Sequence, residues 1–304
     1  MAPETKDVML TADAAETSVT PPHRTEFRRI IRVFFGRKLA VFGLVIVIIL
    51  ILAAIFATWI APYDPFKMHM GEELLAPNSK YLLGTDSLGR DTLSRIIYGS
   101  QTSLIVAIVA TAFSALVGQS MGMIAGVSGG KVFTVIMRLN DTLMAIPMIL
   151  LAMVIASILG GGIQNVIIAL GIGMIPAHCR LMCGQVLTLK ENDYVLAARS
   201  MGTNNFRLML RHILPNAFPP LLVLTTIGLG TTILAEAALS FLGIGIEPPT
   251  CAWGSMINDG YRYLMTNPVL AFAPGVAIML VVFGLNMTGD GLRDALDPRL
   301  RGII

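Results

Sequence analysis

Charge is what this sequence has least of. Asp, Glu, Lys and Arg make up 13% of its 304 residues, where a water-soluble domain carries about 25%. Such a chain cannot cover its surface with water-seeking groups, which argues against a soluble globular domain. Cysteine is scarce as well: three residues do not complete a disulfide framework, so the small stapled class is set aside. The net charge of +3 is too small, and the basic residues too segregated, for a nucleic-acid partner. No glycine-rich phosphate loop ending in Lys-Ser/Thr is present, so the chain itself holds no ATP or Mg and carries no cofactor. Catalytic groupings are equally thin. No Ser/His/Asp set or carboxylate pair stands out. His178, Cys179 and Cys183, and the outer Met68-His69-Met70, fall short of a four-ligand metal set. They read as core or loop residues, and the 18 methionines as span lining. An enzyme is disfavoured.

What the sequence has in quantity is apolar runs. Hydrophobic residues are 55% of the chain and the mean hydropathy is +0.73. Residues 1–22 are polar and end in Pro21-Pro22, as a cytoplasmic tail does. Arg24, Arg28, Arg29, Arg32, Arg37 and Lys38 then precede an apolar run over 39–60. That run is too long for the hydrophobic region of a signal peptide and long enough to cross a bilayer. Five further runs follow, at 103–126, 139–159, 163–179, 217–239 and 269–287, none containing Lys or Arg. The expected fold is therefore all-α, with six transmembrane helices, because backbone groups in lipid must be satisfied within the segment. Glycines in the runs, Gly118 and Gly122 among them, permit close helix approach.

Six spans put both termini on one side. Of the 22 Lys and Arg, 17 fall in the tails 1–38 and 288–304 and the alternate connections that share their side. Lys67, Lys80, Arg90, Arg95 and Arg262 fall on the other. The positive-inside rule makes the rich side cytoplasmic. The segment 61–102 and the stretch 240–268 then lie outside, and the long loop 180–216 lies inside. No internal repeat is visible, which weighs against an inverted-repeat secondary transporter.

The inside loop is the most informative piece. Tyr194 to Met201 are good helix formers, and Gly202 suits a left-handed helix end. A second amphipathic stretch, 206–213, is expected to stop at Pro215. Two short helices with a bend should lie on the cytoplasmic face, where an ordinary interfacial pair is the plain alternative. Small Ala197 and Ala198 would let another protein approach. Outside, Asp86, Arg90, Asp91 and Arg95 alternate in sign at helical spacing, so Asp86–Arg90 and Asp91–Arg95 could pair. Asp86 and Arg90 are candidates for an outer gate, against a solvated helix held by weak pairs. Glu236, alone among apolar neighbours in the fifth run, is a candidate for the translocation path or for a structural hydrogen bond. Arg138 and Asp141, three apart, suit an anchor at the interface.

The loop 194–216 resembles the EAA loop of ABC importer permeases. Ala197, Ala198, Gly202, Leu214 and Pro215 match its pattern, while Leu196 stands where the family has Glu. Further stretches resemble the dipeptide, oligopeptide and nickel branch. They are Leu83 to Asp91 with Ser94-Arg95, Glu236 to Gly243 with Pro248-Pro249 and Trp253-Gly254, and Gly289 to Asp294 with Asp297 to Arg301. Together they cover residues 39–301 and are most similar to the second, C-type, permease subunit. The resemblance implies a type I importer fold in the cytoplasmic (inner) membrane. It implies a second permease chain as heterodimer partner, two cytoplasmic ATPase subunits that bind ATP and Mg, and an extracytoplasmic solute-binding protein. The ATPases would grip Leu196, Ala197, Ala198, Arg199 and Gly202, with Leu214 and Pro215 closing the loop. The solute would be a di- or oligopeptide, with nickel, glutathione or another small solute as alternatives.

Overall fold

The computed structural model describes residues 23–296. The tail 1–22 and the Asp297 to Arg301 stretch lie outside the described residues. Twelve helices follow in order: α1 (His23–Gly36), α2 (Lys38–Ile55), α3 (Ala57–Ile60), α4 (Thr92–Ser128), α5 (Gly130–Met144), α6 (Met148–Leu159), α7 (Ile163–Leu189), α8 (Asp193–Ser200), α9 (Asn205–Leu208), α10 (Leu214–Phe241), α11 (Trp253–Tyr261) and α12 (Val269–Leu296). One π turn, Met209–Ile213, joins α9 to α10. Among the described residues the only strand-like pairing is a single bridge between Thr85 and Asp91. The all-α expectation holds.

Among the described residues, five helices are long and apolar enough to cross a membrane. The sixth expected span, 139–159, is not one helix. It is α5 and α6, bent by 87° across Ala145-Ile146-Pro147. Pro147 has no amide hydrogen and forces its predecessor out of helical geometry, so the break falls where the sequence placed a continuous run. With 12 residues, α6 is only ~18 Å long, short of the ~30 Å hydrocarbon core. The count is five, or six if the bent pair is one span.

Several helices outrun their apolar stretches. α4 starts at Thr92, eleven residues before the expected 103, because Asp91 caps it by accepting from the Ser94 amide at 2.8 Å. α7 runs on past Cys179 to Leu189. The first span ends at Ile55, where Phe56 interrupts it before α3.

The most extensive helix contact is α4 against α7. Its seam is made of glycines. A methyl group on Gly118 would sit 2.6 Å from the Ile175 carbonyl oxygen. One on Gly122 would sit 2.2 Å from that of Cys179, and one on Gly126 would strike Val186 at 2.7 Å. Spaced four apart, they let the two backbones touch, which is how helices associate when lipid offers no hydrophobic drive. Around this pair are three apolar clusters. One lies among α4, α6, α7 and α10 (Val106, Ala156, Leu170, Leu239). A second joins α2, α10, α11 and α12 through Trp253. The third lies under the 193–213 loop (Met182, Val195, Leu208, Ile213).

The seam yields a paired expectation. Gly122→Val should destabilise the detergent-solubilised chain by about 1–3 kcal/mol or more, read as a lower melting temperature in size-exclusion chromatography. Gly184→Val, on α7 at a site with nothing within 4 Å, should leave the profile unchanged. Equal melting of the two would dissolve the seam.

Candidate functional site

The 193–213 loop folds as two short helices with a bend, as expected. α8 ends at Ser200 with Met201 as its C-cap, and Gly202 follows with φ +81°, the left-handed geometry that closes a helix. The amide of Gly202 donates to the Arg199 carbonyl and that of Thr203 to Ala198. Asn204 caps α9 by accepting from the Arg207 amide at 2.8 Å.

One expectation here fails. The second helix does not stop at Pro215 but continues into α10. A proline removes one helical hydrogen bond and crowds the preceding turn. The π turn at Met209–Ile213 opens the helix at that turn, and the Asn216 side chain donates to the His212 carbonyl at 2.7 Å. The loop is thereby joined rigidly to α10 at one end and, through Lys190, to α7 at the other.

The matched residues divide by face. Ala198 is 2% exposed and packs inward with Val195, Leu208 and Ile213. Leu196, Ala197, Arg199, Gly202 and Pro215 face outward, and Leu214 is half-buried. Beside them stand apolar side chains that the sequence reading did not single out: Met201 is 80% and Phe206 67% exposed. Leu196 and Leu210 add to the same element, each 48% exposed. The outward direction of Leu196 could have been found from the helix period, since it lies one position from Val195 and two from Ala198, the inward pair.

At the other end of α4 is a charged node. Asp86 Oδ2 accepts from Arg90 Nε at 2.7 Å and faces Arg95 Nε at 3.4 Å. Its Oδ1 accepts from the amides of Leu88 and Arg90. Arg90 and Arg95 are each 2% exposed. The Asp86–Arg90 pair was expected, but not on a helix: a turn with Gly89 at φ +71° brings them together. The Asp91–Arg95 pair does not form. Asp91 caps α4 instead, accepting also from Ser94 Oγ at 2.6 Å, and Arg95 turns to Asp86 and to the Pro65 carbonyl. Nearby, Lys80 Nζ and the Tyr81 hydroxyl both donate to the Glu72 carboxylate. The Lys80 hydrogen bond, with that of Tyr81, holds Glu72 below the usual carboxylate range.

Glu236 is fully enclosed, 0% exposed. Its carboxyl accepts from Ser240 Oγ at 2.8 Å and from Ser103 Oγ on α4 at 3.4 Å. Ser240 Oγ in turn accepts from the Ile246 amide. One turn away, the Thr111 and Thr232 hydroxyls meet at 3.0 Å. These pairs form a polar seam between α4 and α10. On the opposite side of α10 lies an open apolar groove of about 630 Å³, lined by Met148, Thr231, Leu234, Ala238, Phe241 and Gly275, among others. The sequence reading missed it. The three-to-four spacing of Thr231, Leu234, Ala238 and Phe241 along one face of α10 is the signal that marks it. Asp141, read as part of an interface anchor, accepts from Arg180 on α7 at 2.5 Å.

Asp86→Ala leaves two buried guanidinium groups without their counter-charge, a loss of about 3–5 kcal/mol. Trypsin should then cut the segment between α3 and α4 after Lys67 or Lys80 at least tenfold faster, with the span helices still intact. Unchanged cutting would show that the node holds nothing.

The comparisons bear on what this architecture is. Residues 118–302 match the family described as binding-protein-dependent transport system inner membrane component. Residues 25–77 match the N-terminal TM domain of oligopeptide transport permease C. A dipeptide transport system permease protein of Alkalihalophilus pseudofirmus is 40% identical over 92% of this chain and 91% of its own. A di/tripeptide transport system permease of Pseudomonas aeruginosa is 39% identical over 97% and 99%. A glutathione transport system permease of Escherichia coli is 42% identical over 92% of both. Among solved structures, the MetNI methionine ABC transporter in an inward-facing form has a chain that superposes with a TM-score of 0.57. The two are 20% identical, and the match covers 67% of this chain and 97% of that one. The chain belongs to the family of binding-protein-dependent transport inner membrane components, the permease subunits of ABC importers.

Proposed function

We propose that this chain is one of two pore-forming subunits of an ATP-driven importer of short peptides. Its 193–213 element is the contact through which cytoplasmic ATPases move the spans. The observation that carries this reading is the element's surface. A two-helix projection rigidly tied to α7 and α10 exposes Leu196, Met201, Phe206 and Leu210. Apolar side chains grouped on a projecting polar-rimmed element suit a protein partner. Leu196 fits the same reading: at the position where the family has Glu, it extends the apolar surface. Ala198, turned inward, holds α8 on the body, while Ala197, Arg199 and Gly202 lie on the contact.

Peptides are the solutes named for the relatives, and glutathione, itself a tripeptide, falls in the same class. The solute path is assigned to the groove of α10, facing a second permease. Glu236 stands behind that wall and fixes its shape through Ser103 and Ser240. Asp86 and Arg90 clasp the outer end of α4. Both termini are placed in the cytoplasm, with α5 and α6 counted as one bent span, in keeping with the distribution of Lys and Arg. An external binding protein delivers the solute, and two ATPase subunits bind ATP and Mg. ATP shifts the permease between inward- and outward-facing states only because the ATPases bind one state better than the other.

Gly202 tests the reading. In Gly202→Asp the side chain is strained at φ +81° and charged on the contact, so labelled dipeptide uptake should fall to background while membrane insertion persists. Gly202→Ala carries the backbone strain of about 1–2 kcal/mol alone and should keep part of the uptake. Normal uptake by the Asp variant at normal expression would refute the assignment.

A further inference from the structure

The helix that precedes the first span, α1, has two unlike sides. Only one residue, Arg37, separates α1 from α2, and it is extended, with φ −96° and ψ 105°. Arg37 is fixed there by an ion pair with Asp294 on α12. Phe34 lies against α12, so close to Gly291 that a methyl group there would sit 3.1 Å from its ring. With Ile30 and Val33 also part-buried, one side of α1 faces the body of the protein.

The other side is open and divided lengthwise. Ile31 and Phe35, one turn apart, are 42% and 58% exposed. They continue without interruption into Leu39 and Phe42, the exposed apolar start of α2, at 64% and 54%. Beside that stripe run Arg28 and Arg32, also one turn apart and exposed, with Arg29 part-buried next to them. Neither Arg28 nor Arg32 is in an ion pair among the described residues. An apolar stripe continuous with a lipid-facing span, edged by guanidinium groups, matches one surface: the boundary between acyl chains and anionic headgroups.

We infer that α1 is a binding site for anionic phospholipid, with Ile31 and Phe35 in the acyl boundary and Arg28 and Arg32 on the headgroup phosphate. Guanidinium forms paired hydrogen bonds to phosphate, and a net negative headgroup adds the attraction that a zwitterionic one lacks. The site rests on the reading of the chain as a membrane-embedded permease. Its consequence is a permease whose first span is anchored by headgroup charge, with the Arg37–Asp294 pair passing that anchor to α12.

The test is native mass spectrometry of the full chain in detergent, titrated with phosphatidylglycerol or with phosphatidylcholine of the same acyl chains. The wild type should retain phosphatidylglycerol in preference to phosphatidylcholine. The Arg28→Gln/Arg32→Gln variant should lose about tenfold of that preference, and Arg28→Lys/Arg32→Lys should keep most of it. Size-exclusion profiles in phosphatidylcholine verify that the variants are folded. Equal retention of the two lipids by the wild type, or an undiminished preference in the Gln variant, would overturn the site. Since the titration needs no ATPase and no uptake, its failure is distinct from failure of the coupling reading.

Discussion

Direct backbone contact between α4 and α7 is the constraint on which the rest of the molecule depends. In a bilayer there is no hydrophobic reward for bringing two apolar helices together, so proximity has to come from packing. Gly118, Gly122 and Gly126 supply it by removing every side chain that would hold the helices apart. α4, with 37 residues, is ~55 Å long, and it carries the charged node at its start and the glycine seam with α7 toward its far end. From the end of α7 the chain passes into α8, and from α9 through the π turn into α10. The element assigned to the ATPases is thus mounted on α7 and α10.

Polar groups within the apolar body follow the same economy of contacts. Glu236 has two hydroxyl donors and no cation, and Thr232 meets Thr111. The Ser103–Glu236 and Thr111–Thr232 pairings tie α4 to α10, leaving the far side of α10 apolar and open. The charged residues between α3 and α4 are treated differently. Asp86 gathers two arginines because the turn at Gly89 brings chain neighbours into one buried cluster. Burial of ions of this kind is tolerated only with every partner in place.

Much of this was legible in the residues, and the failures have physical causes. Apolar runs located the long helices, since hydropathy reads what lipid requires. They could not give the ends. The start of α4 is set by the Asp91 cap, a feature of three residues, and the far end of α7 by packing against the 193–213 loop. The run 139–159 read as one helix because hydropathy is blind to the backbone restriction that Pro147 imposes. Pro215 misled in the opposite sense: a π turn absorbs it, and no composition rule anticipates that. The pairing of Asp91 with Arg95 was a reasonable helical expectation that lost to capping. At the candidate site, the motif located the loop and its glycine, but motif matching alone does not show that Ala198 faces inward while Met201 and Phe206 face out.

The central claim is that this outward apolar face is where ATP-driven motion enters the chain. Crosslinking in intact membranes addresses it most directly: Met201→Cys with a short bifunctional maleimide, against Gly184→Cys as a control within α7. The account predicts an adduct between position 201 and an ATPase subunit, whose yield changes when ATP is added, and none from position 184. An ATPase-free product at position 201, in membranes that still take up peptide without ATP, would contradict it and leave a transporter that works alone.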